Sequence, residues 1–259
     1  MAPPKRKPPL GQHFLRDQAV LARIAEALTM EPGAGVVEIG PGEGALTEHL
    51  LRQGARVTAL EIDPRLAGKL RERFAGNPSL EIIEADVLAA DLAALAAGQS
   101  QTPVRVAGNL PYYSTSPILR RVFAAGGVVS TAVFLVQKEV ALRITAGKGS
   151  RDYGYLSVFC ELHAGRELLF TVPPGAFRPP PKVTSAVVRL VMRPEIDVPE
   201  KLLAFLKSAF RQPRKTLLNN LSGMYERSRL AGLPESRLRA QEMSLAELRA
   251  LWRKLEEAR

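Results

Sequence analysis

The sequence predicts an α/β fold: a doubly wound, mostly parallel sheet covered by helices, closed by an antiparallel strand pair and followed by a small all-helical domain. Three observations carry this. Short, near-continuous apolar runs alternate with helix-periodic segments through the first part of the chain, the pattern of strands buried on both faces. A glycine-rich turn, GPGEG, stands directly after the first of these runs and before a helical pattern. Strand patterning stops near Arg193, and everything beyond it is helical in period.

Taken in order, residues 1–9 form a Pro- and Lys-rich arm. Asp17 is a fitting N-cap for a helix over 17–30, with Val20, Leu21, Ile24, Ala25 and Leu28 on one stripe. Strands are predicted at 35–40 (GVVEIG), 56–62 (RVTALEI), 80–86 (LEIIEAD), 104–108 (VRVAG) and 132–137 (AVFLVQ), with helices between them. A helical stretch begins at Tyr155. ELLFTV (167–172) and SAVVRLVM (185–192) then read as the closing antiparallel pair, separated by the Pro-rich loop PPGAFRPPPK. Residues 194–199 read as a linker into helices over 202–210, 215–224 and 244–257, the last opened by a capping box of Ser244 and Glu247. The expected organisation is an arm at 1–9, a main domain at 10–193 and a helical domain at 194–259.

Composition limits the function classes. Of 259 residues, 46% are apolar, and 36 basic against 26 acidic residues leave a net charge of +10, which attracts polyanions such as nucleic acid. The single cysteine, Cys160, excludes an internal disulfide and reads as a core residue. His13, His49 and His163 are scattered and resemble no metal pattern, so no metal is expected. No apolar run reaches the length of a membrane span, and the first residues lack the apolar stretch of a secretion signal, so a cytoplasmic protein with no membrane partner is expected, monomeric by default.

The chemistry begins at VVEIGPGEGALTEHL (36–50). Gly40, Gly42 and Gly44 fit the G-x-G-x-G loop of S-adenosylmethionine enzymes, while Gly40, Gly42 and Ala45 equally satisfy the dinucleotide pattern G-x-G-x-x-G/A. Either ligand carries a ribose whose hydroxyls Glu61, ending the second strand, can accept. Asp86, ending the third, can accept from an adenine amine or simply cap the next helix.

Asn109-Leu110-Pro111-Tyr112 ends the fourth strand and separates the two cofactors. A planar exocyclic amine is a poor nucleophile because its lone pair is conjugated into the ring. Accepting both amine protons, on the Asn109 side-chain oxygen and a backbone carbonyl at Leu110 or Pro111, directs that lone pair at an electrophile. Pro111 stiffens the backbone and Tyr112 can stack on the base. Hydride transfer needs none of this, whereas methyl transfer to an amine does, and with a sulfonium donor it needs no conspicuous general base.

The motifs EIGPGEGALT, LEID, EADVL, NLPYY and LGQHFLRD, followed in order by VQKEVALRITA, SRDYGYLSV, FRPPPKVTSAVVRL and FRQPRKTLLNNL, closely resemble the ribosomal RNA adenine N6,N6-dimethyltransferases from Leu10 to about Leu221. The resemblance implies a Rossmann-like sheet, S-adenosylmethionine as methyl donor with S-adenosylhomocysteine as product, and two adjacent adenosines in the 3′-terminal hairpin of small-subunit rRNA as target. Gln12, His13 and Leu15 are then expected around the cofactor, with Gly40 and Gly42 under its methionine part, Glu61 and Ile62 at the ribose, and Asp86 and Val87 near the adenine. Asn109 would bridge cofactor and target amine. Phe177 would stack on the flipped adenine opposite Tyr112; apart from the resemblance it reads as a loop aromatic filling a crease between domains. The small ribosomal subunit and its rRNA are the implied partners.

Two departures are visible. Tyr113 stands where many relatives have Asn, so the resemblance gives it no role, and EADVL replaces the commoner GDAL, leaving the backbone contact beside Asp86 open. Lys5, Arg6, Lys7 and Arg16, and the cluster Lys207, Arg211, Arg214 and Lys215, can neutralise phosphates, although the arm at 1–9 reads equally as merely solvated. A large-subunit rRNA adenine methyltransferase of the resistance type and a non-catalytic ribosome-assembly factor are the competing readings, with a dinucleotide-dependent dehydrogenase behind them.

Overall fold

A computed structural model describes residues 13–97, 103–193 and 198–257. Gln12 and the basic arm with Lys5, Arg6 and Lys7 lie outside the described residues. The chain divides into two compact units: one runs to Lys138 and takes in Leu169–Met192, the other comprises Glu139–Leu168 and the chain from Arg193.

The first unit contains β1 (Phe14–Leu15), α1 (Gln18–Glu26), β2 (Gly35–Ile39), α2 (Ala45–Arg52), β3 (Arg56–Glu61), α3 (Pro64–Arg73), β4 (Leu80–Glu84), α4 (Leu92–Ala97), β5 (Val104–Asn109), α5 (Thr115–Ala124) and β6 (Val129–Gln137). It also contains β8 (Phe177–Arg178) and β9 (Ser185–Met192), after β7 (Ala164–Val172) has entered the sheet. The seven-stranded sheet has the order β4-β3-β2-β5-β6-β9-β7. The β2·β3, β2·β5, β3·β4 and β5·β6 ladders are parallel, and β9 runs antiparallel to β6. β2 is buried along its whole length, so its Val-Val-Glu-Ile reads as a continuous run rather than an alternating one. β4, at the edge, is only partly buried.

Local chemistry sets the helix starts. Asp17 accepts from the backbone N–H of Ala19 (3.0 Å) and Val20 (3.1 Å), the expected N-cap. The helix ends at Glu26, short of residue 30, because the chain tightens into i→i−3 bonds, Leu28 to Ala25 and Thr29 to Glu26, and Thr29 takes φ 47°. Leu28 is nonetheless fully buried, so the apolar stripe outruns the helix that carries it. α3 begins on Asp63 as N-cap with Pro64 following, the position where the missing N–H costs nothing. The core between α1, α2 and the sheet holds Leu21, Ile24, Leu50, Val57, Leu135 and Val187.

In the second unit, α6 (Lys138–Thr145) follows β6 directly, then α7 (Tyr155–His163), α8 (Glu200–Ala209), α9 (Leu217–Leu221), α10 (Arg227–Ala231) and α11 (Leu245–Glu257). Its own apolar core joins Tyr153, Val158 and Leu162 to Leu202, Phe205, Leu217, Leu248 and Leu251. Residues 139–168 therefore belong with the helices by packing, where the sequence reading drew the boundary at 193. The capping box at α11 is present: Ser244 N–H donates to Glu247 Oε2 at 2.6 Å and Glu247 N–H to Ser244 Oγ at 3.3 Å. The helix expected at 215–224 is cut to five residues at α9, and α10 was not foreseen. No described helix is long and apolar enough to cross a membrane.

Candidate active site

Strand order reverses between β2 and β5, since β3 and β4 extend one way and β6 the other. At such a switch point the loops leaving neighbouring strands diverge and open a crevice at their carboxyl ends. Here that crevice is lined by Gly40 and Gly42 after β2, Glu61 ending β3 with Ile62 just beyond it, Asn109 ending β5, and His13 and Leu15 from the β1 segment.

The turn after β2 has a left-handed backbone at Gly40 (φ +65°) and Gly42 (φ +60°). A side chain at Gly40 would meet nothing within 4 Å, so that position borders open space in the crevice, whereas one at Gly42 would strike the Phe14 ring at 2.9 Å. The loop is pinned from the next strand: Gly42 N–H donates to Glu61 Oε2 at 3.0 Å, and Asp63 N–H donates to Glu61 Oε1 at 2.9 Å. Glu61 is 2% exposed, and each oxygen keeps a further lone pair for a ribose hydroxyl.

Glu38 is the residue that sequence reasoning missed. It lines the crevice from inside β2, is 1% exposed, and accepts from Thr47 Oγ1 at 2.6 Å. Burial pushes its carboxyl up to about 7; the Thr47 hydrogen bond opposes this and the Glu61 charge adds to it. The signal was present in VVEIG, where an acid interrupts an otherwise apolar buried strand. Glu61 alone suits either ligand, but a second buried acid, Glu38, beside the open glycine turn disfavours a pyrophosphate, and a cation there draws Glu38 toward its ionised form. The donor set therefore fits a sulfonium and ammonium ligand such as S-adenosylmethionine, and it disfavours the dinucleotide that the glycine pattern alone allowed.

At the end of β5, one hydrogen bond among the described residues orients the Asn109 amide. Its Nδ2 donates to the His13 carbonyl at 2.9 Å, a bond only the NH2 end can make, so Oδ1 is left as the acceptor. Leu110 N–H is held by the Leu135 carbonyl on β6 at 3.0 Å. The Pro111 carbonyl already accepts from Ser114 N–H (3.0 Å), Ser114 Oγ (3.2 Å) and Thr115 Oγ1 (3.4 Å), closing the turn into α5. Of the two carbonyls considered, Leu110's is thus the one suited to an incoming amine. Tyr112 is half-buried, its hydroxyl 2.9 Å from Ser185 Oγ and its ring stacked on His13 with centroids 6.0 Å apart.

Not every expected residue reaches the crevice. His13, Leu15, Gly40, Gly42, Glu61, Ile62, Asn109, Leu110, Pro111 and Tyr112 line it together. Asp86 is exposed outside that lining, and its Oδ1 accepts from Leu88 N–H at 2.9 Å, while Val87 lies in the same turn. Asp86 thus closes its own turn and caps no helix: the next helix, α4, is capped by Asp91, whose Oδ1 accepts from Ala93 N–H and Ala94 N–H, each at 3.0 Å. Phe177 requires a correction. The ring expected to stack on a flipped base is 1% exposed and sits in the core with Leu15, because β8 pairs antiparallel with β1 and sets Phe177 opposite Leu15. The same short pairing, reinforced by Arg16 N–H to the Ala176 carbonyl at 2.8 Å and a 2.8 Å contact of His13 Nδ1 with the Pro179 carbonyl, fixes the His13 segment against the site. Among the described residues no group of His, Cys, Asp and Glu is placed to hold a metal.

The sheet order, the glycine turn on a buried carboxylate and the oriented amide at the end of β5 define a Rossmann-like methyltransferase. Comparison with known proteins narrows the class. Residues 4–250 match the family described as ribosomal RNA adenine dimethylase, and the chain belongs to that family. It is 48% identical to ribosomal RNA small subunit methyltransferase A of Acidobacterium capsulatum, with 98% of this chain and 92% of the relative covered. Among solved structures, 23S rRNA methyltransferase ErmE superposes with a TM-score of 0.69 at 31% identity, covering 94% of this chain and 99% of that one. A dimethyladenosine transferase from Plasmodium falciparum gives a TM-score of 0.76 at 23% identity over 95% and 98% of the two chains, a likeness of fold.

Proposed function

We propose that this enzyme transfers methyl groups from S-adenosylmethionine to N6 of two adjacent adenosines in the 3′-terminal hairpin of small-subunit rRNA, giving N6,N6-dimethyladenosine. The observation that carries the reading is the Asn109 amide, a residue of the crevice lining whose Nδ2 is held by the His13 carbonyl, which leaves Oδ1 as an acceptor. The bound donor supplies an electrophilic methyl on a sulfonium, with a neutral leaving group. Glu61 holds negative charge beside the turn that receives its cationic part and accepts ribose hydroxyls, a bound cation draws Glu38 from its raised value toward the ionised form, and Ile62, 49% exposed, offers an apolar face to its adenine. Asn109 Oδ1 and the Leu110 carbonyl accept the two protons of the target amine, so its lone pair points out of the ring plane toward the donor. The surplus proton leaves to water once the methyl is in place.

The basic residues of the helical unit serve RNA binding in this reading. Arg211, Arg214 and Lys215 are all exposed on a loop whose carbonyls are gathered inward by buried Asn220: Nδ2 donates to Ala209, Gln212 and Lys215 at 2.8, 3.1 and 3.4 Å, and Oδ1 accepts from Gln212 N–H at 3.2 Å. Such a loop holds its cations ready for phosphates. The enzyme acts in the cytoplasm as a monomer on the small subunit.

A large-subunit activity is the second reading, favoured by the likeness to ErmE, against the higher identity to the small-subunit relative. Nucleoside mass spectrometry of unmethylated small and large subunits, each incubated with protein and S-adenosylmethionine, decides. N6,N6-dimethyladenosine from small subunits alone supports the first reading. Product from large subunits alone supports the second, and none from either sinks both.

A further inference from the structure

Two tyrosines follow Pro111, and the fold treats them oppositely. Tyr112 is anchored at both ends, by Ser185 on its hydroxyl and His13 on its ring. Tyr113 lines the same crevice but is 70% exposed, and among the described residues its ring has no aromatic partner and its hydroxyl no hydrogen bond. Its backbone is not loose. The turn beneath it is closed on the Pro111 carbonyl and set on the buried residues Ser114 and Thr115, so the side chain springs from a fixed point of the backbone.

One exposed aromatic is unremarkable by itself. Its place is what counts. A base whose amine reaches Asn109 enters a crevice that this exposed ring also lines, and extracting that base removes a stacking partner from its neighbour in the strand. An aromatic face stacks on any base, and RNA-binding proteins commonly capture unstacked bases in this way. Tyr113 is too exposed to enclose a base lodged beside Asn109, whereas a base remaining outside can lie flat on it.

We propose that Tyr113 is a stacking platform for the nucleotide adjoining the target adenosine, replacing the stack lost when the target enters the crevice. This rests on the rRNA adenine reading, under which the adjoining base is the second adenosine. Tyr113 then holds one adenosine outside while its neighbour is methylated, which makes it a specificity element for adjacent pairs.

The test compares wild type with Tyr113→Ala and Tyr113→Phe on unmethylated small subunits, together with an RNA hairpin carrying 2-aminopurine beside the target adenosine. Tyr113→Ala is expected to raise KM for the subunit by roughly 5- to 100-fold with kcat changed less than about twofold, while Tyr113→Phe behaves as wild type. Wild type and Tyr113→Phe quench the 2-aminopurine on binding, and Tyr113→Ala does not. The proposal is overturned by an unchanged KM, by a loss confined to kcat, or by quenching that survives in Tyr113→Ala. Failure of wild type itself to methylate either subunit overturns the underlying reading instead.

Discussion

Both units bury polar side chains, and they do so in different ways. In the helical unit, Asn220 is 3% exposed, but its amide is satisfied on every side by the carbonyls and N–H of one loop. In the sheet unit, Glu38 and Glu61 are equally buried, yet they are carboxylates facing an open crevice, and Glu38 has been pushed up to about 7 by its burial. A neutral, fully bonded group organises backbone. Two acids left to share a cavity are costly for the protein alone and become favourable when a cation arrives. The difference marks which unit holds the small ligand.

The comparison can be broken most forcefully at Phe177. Its buried ring predicts that Phe177→Ala costs about 3 to 5 kcal/mol of folding stability, measured by urea denaturation, whereas a ring serving only as a base platform would leave stability near wild type. Next comes Asn109→Ala, expected to lower single-turnover methyl transfer by roughly 10²- to 10³-fold with cofactor affinity within a few-fold of wild type by calorimetry. Equal turnover would remove the amide from the mechanism.

Glu38 sharpens the electrostatic side. The folded state keeps this proton up to about pH 7 while the unfolded carboxyl releases it near 4.5, so the group's contribution is most favourable below pH 4.5 and is lost as pH rises through 7. The loss is on the order of 3 kcal/mol. Glu38→Gln should flatten that part of the stability profile and weaken the rise of cofactor affinity with pH around 7; identical profiles for the two proteins would contradict the assignment. Asn220→Ala has the smallest expected effect, a loss of about 1 to 3 kcal/mol from carbonyls left without a donor, seen as a lower melting temperature. RNA affinity should fall with it, and its salt dependence should become shallower as the basic loop loosens.

Much of this was legible from residue order alone. The alternation of apolar runs and helical stripes, the Asp17 cap, the Ser244 and Glu247 capping box and the Asn-Leu-Pro-Tyr corner are local. Their physics is settled within a few residues, by period, by a side chain reaching its own backbone, or by a proline's fixed φ. The glycine turn was legible as a turn whose ligand the loop alone left ambiguous; the Asn-Leu-Pro-Tyr corner pointed to a methyl donor, and Glu38 sharing the crevice with Glu61 adds a reason for a cationic one. What only the tertiary structure decided depends on partners distant in the chain. The pairing of β1 with β8 sank Phe177 into the core, residues 139–168 joined the helices beyond Arg193 through a common apolar cluster, and Glu38 acquired its raised pKa from burial between strands. Burial and long-range pairing are sums over neighbours that a residue's own sequence context does not contain.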